Sequence, residues 1–373
     1  MRVLHVYKTY YPDSVGGIEQ VLLQLTQGLA GLGIENRIFT LSPTAQPAVI
    51  RRAEAEVHRS SVMLDIASNP MSLRAIGEFR RQLAWADVVH YQFPWPFGDL
   101  LHVLCAGRKP SVVSYQSDVV RQKRLMRAYA PLMKRFLGSV DQVIATSPGY
   151  IETSPVLQAL QRPACVIPNG IDEAAYPHVD PAAVQRWRDE LGEGFFLFVG
   201  VLRYYKGLHT LLEAARGFGG RIVIAGDGEE WATLERQVAK ESGTSNVRLL
   251  GHVSDEDKMA LLHLSRAFVF PSHLRSEAFG MSLVEAAMAG KPMISCEIGT
   301  GTSYINLDGV TGWTVPPDDA SRLREAMHSL QSDLKLAEAM GQRARQRYEE
   351  VFTAQRMARA YLDVYREVLA ARR

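Results

Sequence analysis

Short apolar, β-branched runs alternate along the whole chain with longer stretches whose apolar positions recur every three or four residues. Continuous or alternating apolar runs of this length read as strands, and the 3.6-residue period reads as helix. In the first half the predicted strands are RVLHVY (2–7), RIFTL (37–41), DVVHY (87–91), SVVSY (111–115), DQVIAT (141–146) and CVIP (165–168). In the second half they are FFLFVGV (195–201), RIVIAG (221–226), VRLL (247–250), AFVFP (267–271) and PMISC (292–296). Amphipathic helices are predicted over 17–32, 207–217, 229–242 and 319–349, with a final helix capped by Thr353. Strand–helix alternation of this kind predicts α/β architecture with parallel sheets covered on both faces. PNGIDEAAYP (168–177) breaks the pattern and marks a boundary. The expectation is two Rossmann-like doubly wound domains, 1–172 and 173–352, with an interdomain cleft at the carboxyl strand ends, and a helix at 353–373.

Composition narrows this picture without redirecting it. The 373 residues suit two domains of ordinary size, and 47% apolar with 22% charged residues is globular composition. Cys105, Cys165 and Cys296 lie far apart and form no metal-binding spacing, which fits buried thiols in a reducing cytosol. A strand-like start without a cleavage site argues against export, and FFLFVGVL (195–202) is too short to span a bilayer. The expected location is therefore cytoplasmic.

Charge is unevenly spread. Residues 1–170 carry 18 Lys and Arg against 12 Asp and Glu, whereas the remainder carries 24 against 28. The excess gathers in VVRQKRLMRAYAPLMKRFL (119–137), where Leu125, Tyr129, Leu132, Met133, Phe136 and Leu137 recur near helical spacing. Two readings stay open: a core-packed helix with a solvated basic face, or a surface for anionic headgroups or a lipid-diphosphate acceptor. The modest total charge and the absence of aromatic–basic interleaving argue against nucleic acid.

Four segments carry candidate chemistry. Gly16 and Gly17 stand between the first strand and a helix, where backbone N–H groups approach an anion closely, although they lack full GxGxxG spacing. Arg203 and Lys206 lie at a strand's carboxyl end, placed to clamp a diphosphate. In SEAFGMSLVEAAMAGKP (276–292), Glu277 precedes a helix expected from about Phe279 to Ala289, and the N–H groups of Phe279, Gly280 and Met281 form a prospective anion site. Glu285, within the apolar LVEAAMA, is costly unless paired, so it reads as a hydroxyl acceptor for ribose, and Glu277 as one for a sugar. In LLGHVSDEDKMALLHLS (249–265), the Asp255–Asp257 pattern reads as a capping box, with Ser254 as N-cap, rather than as a metal site. Asp255 and Lys258 suit a guanine edge. No other His or carboxylate cluster suggests a metal.

These segments, in this order and over the whole length, resemble glycosyltransferase family 4, the large retaining family of GT-B fold. The match is carried by GGIE (16–19), Arg203 with Lys206, and Glu277 with Glu285 inside SEAFGMSLVEAAMAGKP. The resemblance implies diphosphate contacts from Gly17, Arg203 and Lys206, ribose contact from Glu285, and donor-sugar contact from Glu277 and the backbone at Phe279–Met281. It implies base reading by the segment that includes Val253, and a final helix returning to the N-terminal domain. FPWPFGDLL (93–101), SDVVRQKR (117–124) and TSPGYIETSPVL (146–157) resemble bacterial O-polysaccharide enzymes that use GDP-mannose or GDP-rhamnose. That implies a metal-independent hexosyltransferase with no cofactor beyond its nucleotide-sugar donor and with a lipid-linked oligosaccharide acceptor. Peripheral contact with anionic lipids of the inner membrane is left open.

One departure matters. Family members place His where this chain has Gln116, and Gln92 likewise stands where His is expected. Glutamine donates and accepts hydrogen bonds but does not titrate, so Gln116 is excluded as a general base and kept as a donor-sugar contact. The alternatives are a UDP-sugar transferase and a non-catalytic nucleotide-sugar-binding protein.

Overall fold

The computed structural model describes residues 1–107, 109–118, 123–240 and 244–372, without the side chains of 123–125. Among these, two compact units form: Met1–Gly170 together with Ala354–Arg373, and Ile171–Thr353. No helix of the described residues is long and apolar enough to cross a membrane.

The first unit holds β1 (Arg2–Val6), β2 (Glu35–Ser42), β3 (Val49–Arg51), β4 (Glu56–Ser61), β5 (Leu64–Ile66), β6 (Asn69–Met71), β7 (Val88–Phe93), β8 (Ser111–Tyr115), β9 (Gln142–Ala145) and β10 (Cys165–Val166). Its sheet runs β10-β9-β8-β7-β1-β2-β4-β3, parallel except for the β3–β4 pair, while β5 and β6 form a separate hairpin. The apolar runs are read as strands because both faces of this sheet are covered; Val3, Val6, Val88, Val112 and Val113 have no exposed surface. β4 was not predicted. Its sequence, EVHRSS, is polar, yet Arg59 is buried because its guanidinium pairs with Asp13 at 2.6 Å.

The helix Gly17–Gly31 packs against the C-terminal helix Ala354–Ala370, so the chain end completes this unit. A Cβ at Gly28 would lie 2.7 Å from that of Ala358, so the close approach of the two helices depends on glycine there. The C-terminal helix also caps a polar seam inside the sheet. His90 of β7 bonds Ser114 of β8 at 2.7 Å and the Tyr365 hydroxyl at 2.8 Å. It also lies 3.2 Å from His5 of β1, and Tyr361 bonds Ser114 at 2.6 Å.

The second unit holds β11 (Phe196–Val199), β12 (Ile222–Ala225), β13 (Val247–Gly251), β14 (Ala267–Phe270), β15 (Met293–Cys296) and β16 (Gly312–Val315). All pairs are parallel in the order β13-β12-β11-β14-β15-β16, and a large apolar core spans this unit. β16 was not predicted; four residues, GWTV, give little periodicity to read. The helix expected over 319–349 is instead two, Ala320–Ser332 and Leu334–Val351. Asp333 breaks it, because its carboxylate accepts the Leu336 N–H at 2.9 Å and starts a new helix.

Burial holds the first unit's imidazoles neutral: the pKa of His5 and of His102 falls to about 4, and that of His90 drops well below its ordinary value. Unfolded histidines titrate near ~6.5. The folded unit therefore refuses protons that the unfolded chain accepts, and this contribution to stability is complete above that value and lost as pH falls toward 4. Denaturant midpoints should decline between pH 6.5 and 4.5, with proton uptake on unfolding by calorimetry at pH 5.5; a flat profile would contradict the neutral seam.

Candidate functional site

Strand order in the second unit reverses between β11 and β14, and in open α/β sheets the crevice beyond the carboxyl ends at such a point is where ligands bind. The chain leaving β11 makes a short 3₁₀ turn, Tyr204–Lys206, closed by Gly207 at φ +68°. A Cβ on Gly207 would sit 2.0 Å from the Pro271 carbonyl oxygen, so only glycine lets this turn lie against the chain leaving β14. The His273 N–H fastens the two segments by donating to the Tyr205 carbonyl at 3.0 Å.

That apposition brings together two of the sequence-predicted residues. The Lys206 ammonium donates to Glu277 Oε2 at 2.5 Å, and the Ser272 hydroxyl donates to the same oxygen at 3.2 Å. Both partners are buried, with side-chain exposures of 10% and 11%. The ammonium also stands 4.6 Å from the centroid of Phe270, which adds a cation–π contact. Glu277 Oε1 has no hydrogen-bond partner among the described residues and is not among the buried orphaned atoms.

A second carboxylate is built the same way. Glu285 is paired, as a carboxylate in an apolar stretch must be, but with protein groups: Lys258 Nζ at 3.0 Å and the Tyr176 hydroxyl at 2.9 Å, both on Oε1. Its Oε2 has no partner among the described residues. Lys258 also reaches Asp255 at 2.9 Å, so the predicted base-reading pair and the predicted ribose residue form one cluster. Burial works against the Lys258 ammonium, yet Glu285 and Asp255 outweigh it and raise its pKa. Burial and the neighbouring Glu285 push the Tyr176 hydroxyl up.

The remaining predicted residues are placed as follows. Arg203 opens the 3₁₀ turn and is exposed, with no ion pair among the described residues. The helix expected from Phe279 runs Met281–Met288, with Gly280 as N-cap at φ +102° and Phe279 buried beside it. Val253 is partly buried and lies just ahead of the helix Asp255–Leu264, whose N-cap Ser254 accepts the Asp257 N–H at 3.1 Å. The reciprocal half of the capping box is missing, because the Asp257 carboxylate instead takes the Trp187 indole at 2.8 Å and Arg186.

In the first unit, Gly17 opens the helix Gly17–Gly31 and Gly16 is its N-cap. A Cβ at Gly16 would meet Glu19 at 2.5 Å, while at Gly17 it would meet nothing. Glu19 takes the hydroxyls of Thr9 and Ser14, at 2.6 and 2.9 Å. Gln116 is buried with both ends of its amide engaged, donating to Gln92 at 2.9 Å and accepting from Asn169 at 3.2 Å. Of the basic run, Arg127, Lys134 and Arg135 are exposed on the helix Lys123–Ser139; Arg121 and the side chains of Lys123 and Arg124 lie outside the described residues.

Sequence reasoning missed Tyr176 and Ser272, which carry no motif, and a cluster of His209, His273 and Asp318. Asp318 Oδ1 faces His273 Nδ1 at 2.5 Å and His209 Nε2 at 3.3 Å. These atoms converge within 4.8 Å, close enough to share a cation, contrary to the expectation that no such cluster exists. N–H groups of the two imidazoles donating to one carboxylate account for the same geometry. Burial opposes the Asp318 charge, but the two imidazoles prevail and hold its pKa below the ordinary carboxylate range.

Comparison with known proteins identifies the family of the chain. Residues 15–175 match the family model described as Glycosyltransferase Family 4, and residues 181–347 match Glycosyl transferases group 1. The chain is 52% identical to D-rhamnosyltransferase WbpZ of Pseudomonas aeruginosa, covering 95% of this chain and 93% of the relative. It is 46% identical to O-antigen chain mannosyltransferase C of Escherichia coli over 100% of both chains. Among solved structures, sucrose-phosphate synthase from Thermosynechococcus elongatus superposes with TM-score 0.80 at 20% identity, covering 99% of each chain. Anabaena HepE in complex with UDP and glucose gives 0.78 at 16%, covering 98% of this chain and 100% of that one. At such identities these structures share the fold.

Removing one member of a buried ion pair strands the other. Lys206→Ala should destabilise the protein by about 3 kcal/mol, and adding Glu277→Gln should recover part of that loss. Calorimetric unfolding of both variants checks this; a double variant no more stable than the single one would mean that the pair is solvated.

Proposed function

The chain belongs to glycosyltransferase family 4 and is a hexosyltransferase, and from that premise we propose that it transfers mannose or D-rhamnose from a GDP-sugar to a lipid-linked glycan in bacterial O-antigen synthesis, with retention of configuration. The observation that carries this reading is the Lys206–Glu277 pair at the β11/β14 switch point, with Glu277 Oε1 left open. Lys206 gives one of its three donors to Glu277, leaving two for a phosphate oxygen. Arg203, three residues away and exposed, supplies a second cation. As the bond from the anomeric carbon to the diphosphate oxygen breaks, negative charge builds on that oxygen. Fixed cations and the N–H groups at Gly280 and Met281 stabilise it without reorganising.

The open oxygens divide the donor between them. Glu277 Oε1 accepts a hydroxyl of the transferred sugar, and Glu285 Oε2 accepts a ribose hydroxyl. Asp255 and Lys258 lie beside Glu285, where a carboxylate faces the guanine N1 and N2 hydrogens and an ammonium faces O6. The two named relatives act with rhamnose and mannose, which supports the sugar. The enzyme is read as cytoplasmic, its acceptor reached at the inner face of the membrane.

GDP should raise the melting midpoint more than UDP at equal concentration. Glu277→Gln should lower turnover of GDP-mannose or GDP-rhamnose by ~100-fold or more while leaving that GDP shift in place. A larger shift with UDP would move the donor to the uridine class, and wild-type turnover in the variant would remove Glu277 from the site.

A further inference from the structure

The first unit carries a pocket that the donor reading does not use. It encloses about 480 Å³ between the β5–β6 hairpin, the helix Pro96–Leu101 and the helix Lys123–Ser139. That volume is ordinary for a small-molecule site. Its walls are mostly apolar, among them Ile66, Met71, Phe97, Leu100, Met126 and Leu132. Tyr129 also lines it, with its hydroxyl spent on the buried Asp99, so the ring adds apolar surface.

The rim has the opposite character. Lys8, in the segment that follows β1, lines the pocket, and its ammonium donates to the Ser68 carbonyl at 3.3 Å. The helix that gives Met126 and Leu132 to the wall turns Arg127, Lys134 and Arg135 to solvent. Beside it, Met63, Leu64 and Ile66 stand about half exposed, at 54%, 52% and 49%. An apolar interior with a cationic rim complements an amphiphile carrying phosphate on a hydrocarbon chain. A bare glycan is a poor match, since its hydroxyls would face hydrocarbon walls and lose hydrogen bonds to water.

We propose that this pocket holds the first prenyl units of a polyprenyl diphosphate, the lipid end of the glycan acceptor, with Lys8 beside the diphosphate. The proposal rests on the acceptor reading above, and it assigns that acceptor a site formed within the first unit alone. Among the described residues of the 119–137 segment, ambiguous in the sequence, the basic and apolar positions then acquire separate tasks: Met133, Phe136 and Leu137 are buried in the unit, Met126 and Leu132 face the lipid, and Arg127, Lys134 and Arg135 stay in water.

Dansyl-labelled farnesyl diphosphate serves as the probe. Its fluorescence should rise saturably with the full-length protein and be displaced by geranylgeranyl diphosphate but not by inorganic pyrophosphate. Ile66→Asp combined with Leu100→Asp, both at partly exposed positions, should weaken binding by ~10-fold or more. That variant should keep the wild-type circular dichroism and cooperative melting, which shows that the first unit is folded, and its GDP-induced melting shift should be unchanged. No saturable rise, displacement by pyrophosphate alone, equal displacement by dioleoyl phosphatidic acid, or undiminished binding in the folded variant would each overturn the proposal. A wild-type protein that binds the probe but not GDP would instead refute the donor reading and leave this site standing.

Discussion

Lys206 and Glu277 meet at 2.5 Å because two loops from different strands are allowed to touch. Gly207 permits that contact, and its neighbours enforce it: a side chain there would displace the Pro271 carbonyl, and with it the whole segment from Ser272 to Glu277. The charged pair is thus a product of backbone packing at the sheet's switch point. Its surroundings follow from the same constraint. Ser272 steadies the carboxylate, Phe270 lies beneath the ammonium, and His273 ties its own backbone to Tyr205 while its ring reaches Asp318 beyond β16. Four strand ends, those of β11, β14, β15 and β16, are drawn toward one edge by the parallel arrangement.

How much of this was legible in the sequence depended on whether a residue's partner lay nearby in the chain. Strands buried on both faces, such as FLFV and AFVF, announce themselves by continuous apolar runs. β4 does not, because Arg59 reads as surface until Asp13, forty-six residues earlier, is seen to neutralise it. The break at Asp333 was likewise hidden within an amphipathic pattern that continues on either side. At the site, Lys206 and Glu277 could be proposed from their position after strands. Tyr176 could not, since it comes from the segment that was read only as a boundary, yet its hydroxyl is one of the two groups holding Glu285. The cost of burying Glu285 was legible; the identity of what meets that cost was not.

The place of Gln116 illustrates a different limit. Residue type alone excludes proton transfer there, and the structure adds that the amide is held from both ends by Gln92 and Asn169. This amide chain continues the polar seam of the sheet through Gln92 to His90, 3.3 Å away, and so to Tyr365 of the C-terminal helix. A side chain fixed in that way is rigid and neutral. Asn169 Oδ1, at its end, is buried without a hydrogen-bond partner among the described residues, an unfilled acceptor beside Gln116. The segment thus offers orientation and hydrogen bonding in place of the titrating group that the family resemblance led one to expect, and the neutral seam behind it keeps that geometry independent of pH above the range where the imidazoles protonate.

Stability does not explain why the second unit buries a lysine against a glutamate. Desolvating two charges costs several kcal/mol, and apolar replacements of equal volume are often as stable or more so. The pair is arranged, moreover, as a stabilising device would not need to be. Among the described residues, both donors to Glu277 converge on Oε2 and both donors to Glu285 converge on Oε1, so that each carboxylate keeps one oxygen unspent. A purely structural ion pair gains by satisfying every lone pair it buries, whereas a binding site must leave some for its ligand. Holding a carboxylate by one oxygen fixes its orientation before the ligand arrives, so the ordering cost is met in folding and not in binding. The protein contacts of Glu285 therefore do not compete with its proposed role in donor recognition; they set the direction in which its second oxygen points.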